Sequence, residues 1–181
     1  MKIIGETILN QTKFLVFKTI SYLNKRGDSC RWDMVSRVNG RNAVMIVPYF
    51  GDKLVVTREF RVPIGDYEYG FPAGLIDDNE TIEHAAIREM KEETGLDIIE
   101  VLKVSPPVYN SAGLTDEAIS ILYAKVGGKP SKLGLENSEE IDVMIMDREQ
   151  ISQLLADNSK KIGAKAWIIF YQFINNKPFN G

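Results

Sequence analysis

Residues 81–95, TIEHAAIREMKEETG, constrain this chain more than any other stretch. Good helix formers fill the interior, and Gly95 stands where a helix would stop. At roughly 100° per residue, positions three and four apart share a face. With Ile82 as origin, Ala85, Ala86, Glu89, Met90, Glu92 and Glu93 fall within an arc of about 160°, while His84, Ile87, Arg88, Lys91 and Thr94 lie opposite. A solvated surface helix would carry its carboxylates opposite the apolar stripe, and here they interrupt it. Carboxylates crowded on one partly buried face repel one another and lose hydration, so the arrangement calls for a bound cation. Ala85 and Ala86 leave room for an ion to approach, and carboxylate oxygens are the preferred ligands of Mg²⁺. Arg88 can reach round to hold one carboxylate in position.

The rest of the composition narrows the cation. One cysteine, Cys30, and one histidine, His84, cannot make an intrachain disulfide or a zinc site of the usual Cys/His kind. Any metal is therefore oxygen-held, which points to magnesium, manganese or calcium. A formal charge of −3 provides no broad basic field for a nucleic-acid backbone, although a small nucleotide ligand stays open. The N-terminus, MKIIGETILNQTKF, lacks the pattern of a signal peptide, and AWIIFYQFI is too short to span a bilayer. A cytoplasmic protein is expected.

At 181 residues the chain is long enough for one good-sized domain, or for a domain with a small appendage. KFLVFKTISYL and CRWDMVSRV, rich in β-branched and aromatic residues and separated by NKRGDS, predict an N-terminal β-hairpin or small sheet over residues 1–40. The main domain, 41–181, then opens with the strands AVMIVPYF and LVVTREF around a GDK turn. RVPIGDYEYGFPAGLIDDNET predicts a loop with short extended pieces. After the helix, DIIEVLKVS, EAISILYAKV and IDVMIMD read as strands. DREQISQLLAD reads as an amphipathic helix capped by Asp147, and GAKAWIIFYQFI as a mostly buried final helix. The class is mixed α and β, with largely antiparallel strands and helices packed on them.

Upstream of the glutamates, FPAGLIDDNE sets Gly74 and Glu80 before the helix, and a glycine turn there lets the Ala73 carbonyl face the same site as one more oxygen ligand. From Gly74 to Leu96 the chain reads GLIDDNETIEHAAIREMKEETGL, which resembles the Nudix box at every fixed position. The resemblance implies an α/β/α sandwich around a mixed sheet, and hydrolysis of a diphosphate linked to a nucleoside and a group X. It implies that Glu89, Glu92 and Glu93 coordinate Mg²⁺ or Mn²⁺, and that Glu80 is a further ligand or a support for the loop. It also implies that water attacks phosphorus without a covalent enzyme intermediate.

Outside the box, TREFRVPIGDYEYGFPAGLID resembles the Nudix subfamily that cleaves ADP-ribose and related nucleoside diphosphate sugars. That resemblance assigns Arg58 and Arg61 to the diphosphate or nucleotide, because guanidinium groups match phosphate oxygens in a bidentate fork. It implies a homodimer across which the N-terminal β segment packs, where Phe14, Phe17, Tyr22 or Trp32 could stack on a base or simply pack. In GLENSEEIDV it offers Glu139 as the catalytic base, with Glu136 and Glu140 as alternatives. YNSAGLTDE departs from the subfamily's Ser-Pro-Gly by having Ala112, although Ser111 and Gly113 keep the pattern and are assigned to substrate. Gly70 stands where glutamate is common, with Glu68 two residues earlier. These departures bear on the X group. The expected products are a nucleoside monophosphate and a sugar phosphate. The alternatives are a Nudix pyrophosphatase acting on nucleoside triphosphates, dinucleoside polyphosphates or RNA 5′ ends, and a non-catalytic nucleotide-sugar sensor.

Overall fold

The computed structural model describes residues 1–40, 42–135 and 140–175. Three strands, β1 (Lys2–Gln11), β2 (Leu15–Leu23) and β3 (Ser29–Arg37), form a separate antiparallel sheet in that order. The second and third match the two segments read from sequence. The first was not foreseen: all ten of its residues are exposed, so no burial alternation marks it as a strand.

The main sheet contains β4 (Ala43–Phe50), β5 (Lys53–Arg61), β6 (Asp66–Gly70), β7 (Ala73–Leu75), β8 (Asp97–Val104), β9 (Val108–Tyr109), β10 (Ala118–Gly127), β11 (Ile141–Met146) and β12 (Lys161–Ile162). It is mixed, because β4 runs parallel to β10 while β5 pairs antiparallel with β11 and β6. Helices cover both faces: α1 (Ile82–Thr94) on one, α2 (Arg148–Ala156) and α3 (Ala164–Asn175) on the other. AVMIVPYF is apolar without alternation for this reason. Val44 and Ile46 pack with Ala85, Ala86 and Met90 of α1, while Met45 and Val47 share the other core with Ile151, Ile169 and Phe170. Each such fully buried aliphatic side chain contributes on the order of 1.5–3 kcal/mol.

One irregularity creates the cleft. β4 and β5 pair only beside their turn, at Tyr49↔Leu54 and Phe50↔Lys53, and then diverge. The chain wedges between them, as β6 pairs with β5, Phe71-Pro72 steps across, and β7 pairs with β4. The Pro72 carbonyl accepts from the Ile46 N–H at 2.8 Å, which fixes the step.

The helix ends follow local chemistry. The Thr81 hydroxyl accepts from the His84 N–H at 3.2 Å, and Gly95 adopts φ 74°, a left-handed conformation suited to glycine. Asp147 and Gln150 form a reciprocal capping box on α2. Two readings need correction. Thr94, assigned to the outer side of α1, is fully buried, with its hydroxyl donating to the Met90 carbonyl at 2.5 Å. The final helix buries only one face, Ala166, Ile169, Phe170 and Phe173, and leaves Trp167, Ile168 and Tyr171 exposed, with Trp167 and Tyr171 stacked 5.4 Å apart. Among the described residues, no helix is long and apolar enough to cross a membrane.

Candidate active site

The carboxylates of α1 lie where the helix meets β7. Glu89 and Glu93 are only 9% and 5% exposed, beside the buried Ala85, Ala86 and Met90. A Cβ built on Gly74 would overlap the Glu89 carboxylate, so Gly74 leaves a cradle that this side chain fills. Glu92 turns further out, with 47% of its side chain exposed against 12% for Glu89.

Arg88 ties this wall together. Its Nε and Nη2 donate to the two oxygens of Glu80 at 3.1 and 2.9 Å, Nη2 also reaches the Leu75 carbonyl at 3.0 Å, and Nη1 touches both Glu89 at 2.6 Å and Glu92 at 3.2 Å. The hydrogen bond from Arg88 holds the Glu80 carboxyl below its ordinary range. The reciprocal bond with Glu80 leads the causes that raise the Arg88 guanidinium further. With both oxygens bonded to Arg88, and one also accepting from the Asp77 N–H at 3.0 Å, Glu80 supports the loop.

Among the described residues, no three Asp, Glu, His or Cys side chains are gathered closely enough to hold a metal ion by themselves. The donor chemistry nonetheless fits a hard divalent cation. Glu89 and Glu93 are buried oxygen donors, Gly74 opens the space beside Glu89, and one guanidinium nitrogen already draws Glu89 and Glu92 together.

The cleft beside them has a volume of about 440 Å³. Ala73, Gly74 and Leu75 form part of its lining, with Thr57, Glu59 and Arg61 on β5 and Glu68 on the wedged β6. Alternation along β5 divides the two arginines assigned to substrate. Arg61 lines the cleft, paired with Glu59 at 2.8 Å and Glu68 at 3.5 Å. Arg58 points to the other face, where it pairs with Asp142 at 2.9 Å and lies over the Tyr67 ring at 3.5 Å. Lys132, and then Arg58, hold the Asp142 carboxyl below its ordinary value. Arg58 is thus not brought to the cleft.

Ser111 and Gly113 are not in the cleft lining either. The Ser111 carbonyl accepts from Leu114 and Thr115 at 2.9 Å, and the Gly113 carbonyl accepts from the Trp32 indole at 3.0 Å. Their turn anchors the N-terminal sheet, reinforced by Ser36 donating to Asp116 at 2.8 Å and Arg37 to Glu117 at 2.5 Å. Trp32 and Tyr22 line a separate hollow with Ala112, while Phe14 and Phe17 are exposed. Of the glutamates offered as base, Glu136 and Glu139 lie outside the described residues. Glu140 is exposed and accepts from the Tyr67 hydroxyl.

Arg37, Asn110, Glu117 and Lys165 also line the cleft, and none was assigned to the site from the sequence, although Glu117 lies in the TDE that follows Gly113. No local pattern joins the four. They come from β3, the β9–β10 connection and the first turn of α3.

Residues 40–168 match the NUDIX domain family. The ADP-sugar pyrophosphatase of Mus musculus is 28% identical over 195 residues, covering 97% of this chain and 89% of that protein. The ADP compounds hydrolase NudE of Escherichia coli (strain K12) is 42% identical over 80 residues, 41% of this chain and 43% of that one. In fold, the crystal structure of an ADP compounds hydrolase aligns with 96% of this chain and 93% of its own at a TM-score of 0.78, with 23% sequence identity.

Proposed function

Because the chain belongs to the NUDIX family, we propose that it hydrolyses the diphosphate of ADP-ribose or a related nucleoside diphosphate sugar, giving AMP and a sugar phosphate. The observation that carries this reading is the buried pair Glu89 and Glu93 on α1, set beside the Gly74 cradle at the rim of a cleft large enough for a nucleotide. Glu89, Glu92 and Glu93, with the Ala73 carbonyl, would hold Mg²⁺ or Mn²⁺. When bound there, the metal supplies positive charge against the diphosphate and Lewis-acid activation of water.

The chain's own groups do the rest. Arg88 and Glu80 fix the loop and helix on which the acidic donors stand. Arg61 meets the substrate from β5. Glu139 takes the proton as water oxygen bonds to phosphorus and the bridging oxygen departs with the other phosphate. The N-terminal sheet, residues 1–40, serves a homodimer: β1 is an unshielded outer strand carrying exposed Ile3 and Ile8, and a second copy would cover it. The working compartment is the cytoplasm.

The test is a substrate panel in Mg²⁺ with product analysis. AMP and ribose 5-phosphate in equal amounts from ADP-ribose are expected. Consumption of a nucleoside triphosphate with nucleotide sugars untouched contradicts the reading, and tight binding without turnover of any substrate would make the protein a sensor.

A further inference from the structure

Among the described residues three cations line the cleft, and their surroundings differ. Arg61 lies between Glu59 and Glu68, and Arg37 is held by Glu117. Lys165 instead meets a neutral group, its Nζ donating to the Asn110 amide oxygen at 2.5 Å. Among the described residues it has no carboxylate within ion-pair distance. The same amide donates through Nδ2 to Glu117 at 2.7 Å, and Glu117 accepts from Arg37 at 2.5 Å. A continuous relay, Arg37–Glu117–Asn110–Lys165, therefore crosses this wall and fixes the ammonium.

The lysine is half-buried, and burial pushes its pKa down against the pull of Glu117 and Glu68. Gly163, Ala164 and Ala166 also line the cleft and leave its rim low. An ammonium has three donors, and Asn110 takes one. The remaining donors, and a charge with no paired anion, suit phosphate oxygens.

On the nucleoside diphosphate sugar reading above, we propose that Lys165, oriented by Asn110, is the cleft cation that takes a phosphate of the substrate's diphosphate and so sets affinity for it. This is the role that the sequence offered to Arg58 and Arg61. Arg58 faces the other side of the sheet, and Arg61, although it meets the substrate from β5, already shares its charge with two carboxylates. Asn110 is a positioning residue in this account, and Lys165 a substrate-binding one.

The test uses Lys165→Met, whose unbranched side chain keeps the packing of the lysine stem, and Asn110→Asp, which neutralises the ammonium without removing it. Steady-state hydrolysis of ADP-ribose and calorimetric titration with ADP are measured in Mg²⁺ at several NaCl concentrations. For each variant the KM and the ADP dissociation constant are expected to rise about 10- to 100-fold, the loss that follows removal of a charge-assisted hydrogen bond, with kcat within about threefold. Lys165→Met should also weaken the salt dependence of ADP binding, a change that a merely structural role would not produce. If either folded variant keeps KM and ADP affinity within twofold of wild type, or loses kcat with KM unchanged, the proposal is overturned. Should wild-type protein release no AMP from ADP-ribose, the nucleotide-sugar reading fails by itself. The ADP titration then still decides the lysine, because undiminished binding by Lys165→Met refutes it.

Discussion

The acidic site on α1 and the polar wall of the neighbouring cleft, which meet at Gly74, are assembled by opposite means. The α1 wall is local: Gly74, Glu80, Arg88, Glu89, Glu92 and Glu93 lie within twenty residues, and one arginine knits its carboxylates together. The cleft wall draws Arg37, Asn110, Glu117 and Lys165 from elements far apart in sequence and joins them only through tertiary structure. The difference separates chemistry from recognition. Groups that share a metal need fixed mutual geometry, which a helix and its preceding turn supply, whereas groups that read a substrate can be recruited from any element that reaches the cleft.

The sharpest break of this contrast is Glu93→Gln. It removes a charged donor from the α1 wall and is expected to lower kcat by at least about 10²-fold and to weaken Mn²⁺ binding, measured by paramagnetic titration, while KM changes little. Gly74→Ala attacks the same wall without altering any donor. Its Cβ would displace the Glu89 carboxylate, so roughly a 10- to 100-fold loss of kcat is expected with an intact circular dichroism spectrum.

On the cleft wall, Arg37→Ala releases Glu117 and slackens the relay. Its guanidinium is more than a third exposed, so the expected effect is about fivefold in KM. Smallest is the acid response of the α1 wall. Arg88 depresses the Glu80 pKa in the folded state below its ordinary 4.5. Glu80 therefore contributes stability that is fully present above about pH 4.5 and is lost as pH falls through the lower folded value. Melting temperature measured from pH 6 to pH 3 should fall more steeply for wild type than for Glu80→Gln, by a difference of about 2–4 °C. Asp142, also depressed, leaves both proteins some slope.

The same division governs what could be read in the sequence. α1, its glycine stop and the Asp147 cap of α2 were legible because helix periodicity and capping are encoded within a few residues. The inward turn of Glu89 and Glu93 followed from the same periodicity, whereas Glu92, placed with them by that reading, stands half exposed at the edge of the arc. β1 was illegible because an exposed strand has no burial pattern, and the last helix was over-buried because an apolar run conceals which face meets solvent. Arg58 and Arg61 looked equivalent along the chain, yet strand alternation sends them to opposite faces. Lys165 looked like any lysine, since nothing near it in sequence announces Asn110.

Steady-state hydrolysis of ADP-ribose by wild type, Glu93→Gln and Lys165→Met, run side by side with AMP quantified, tests this division of labour most directly. The expected result is AMP release by wild type, a fall confined largely to kcat for Glu93→Gln, and a rise confined largely to KM for Lys165→Met. If both variants change the same parameter, the two walls do not divide chemistry from recognition.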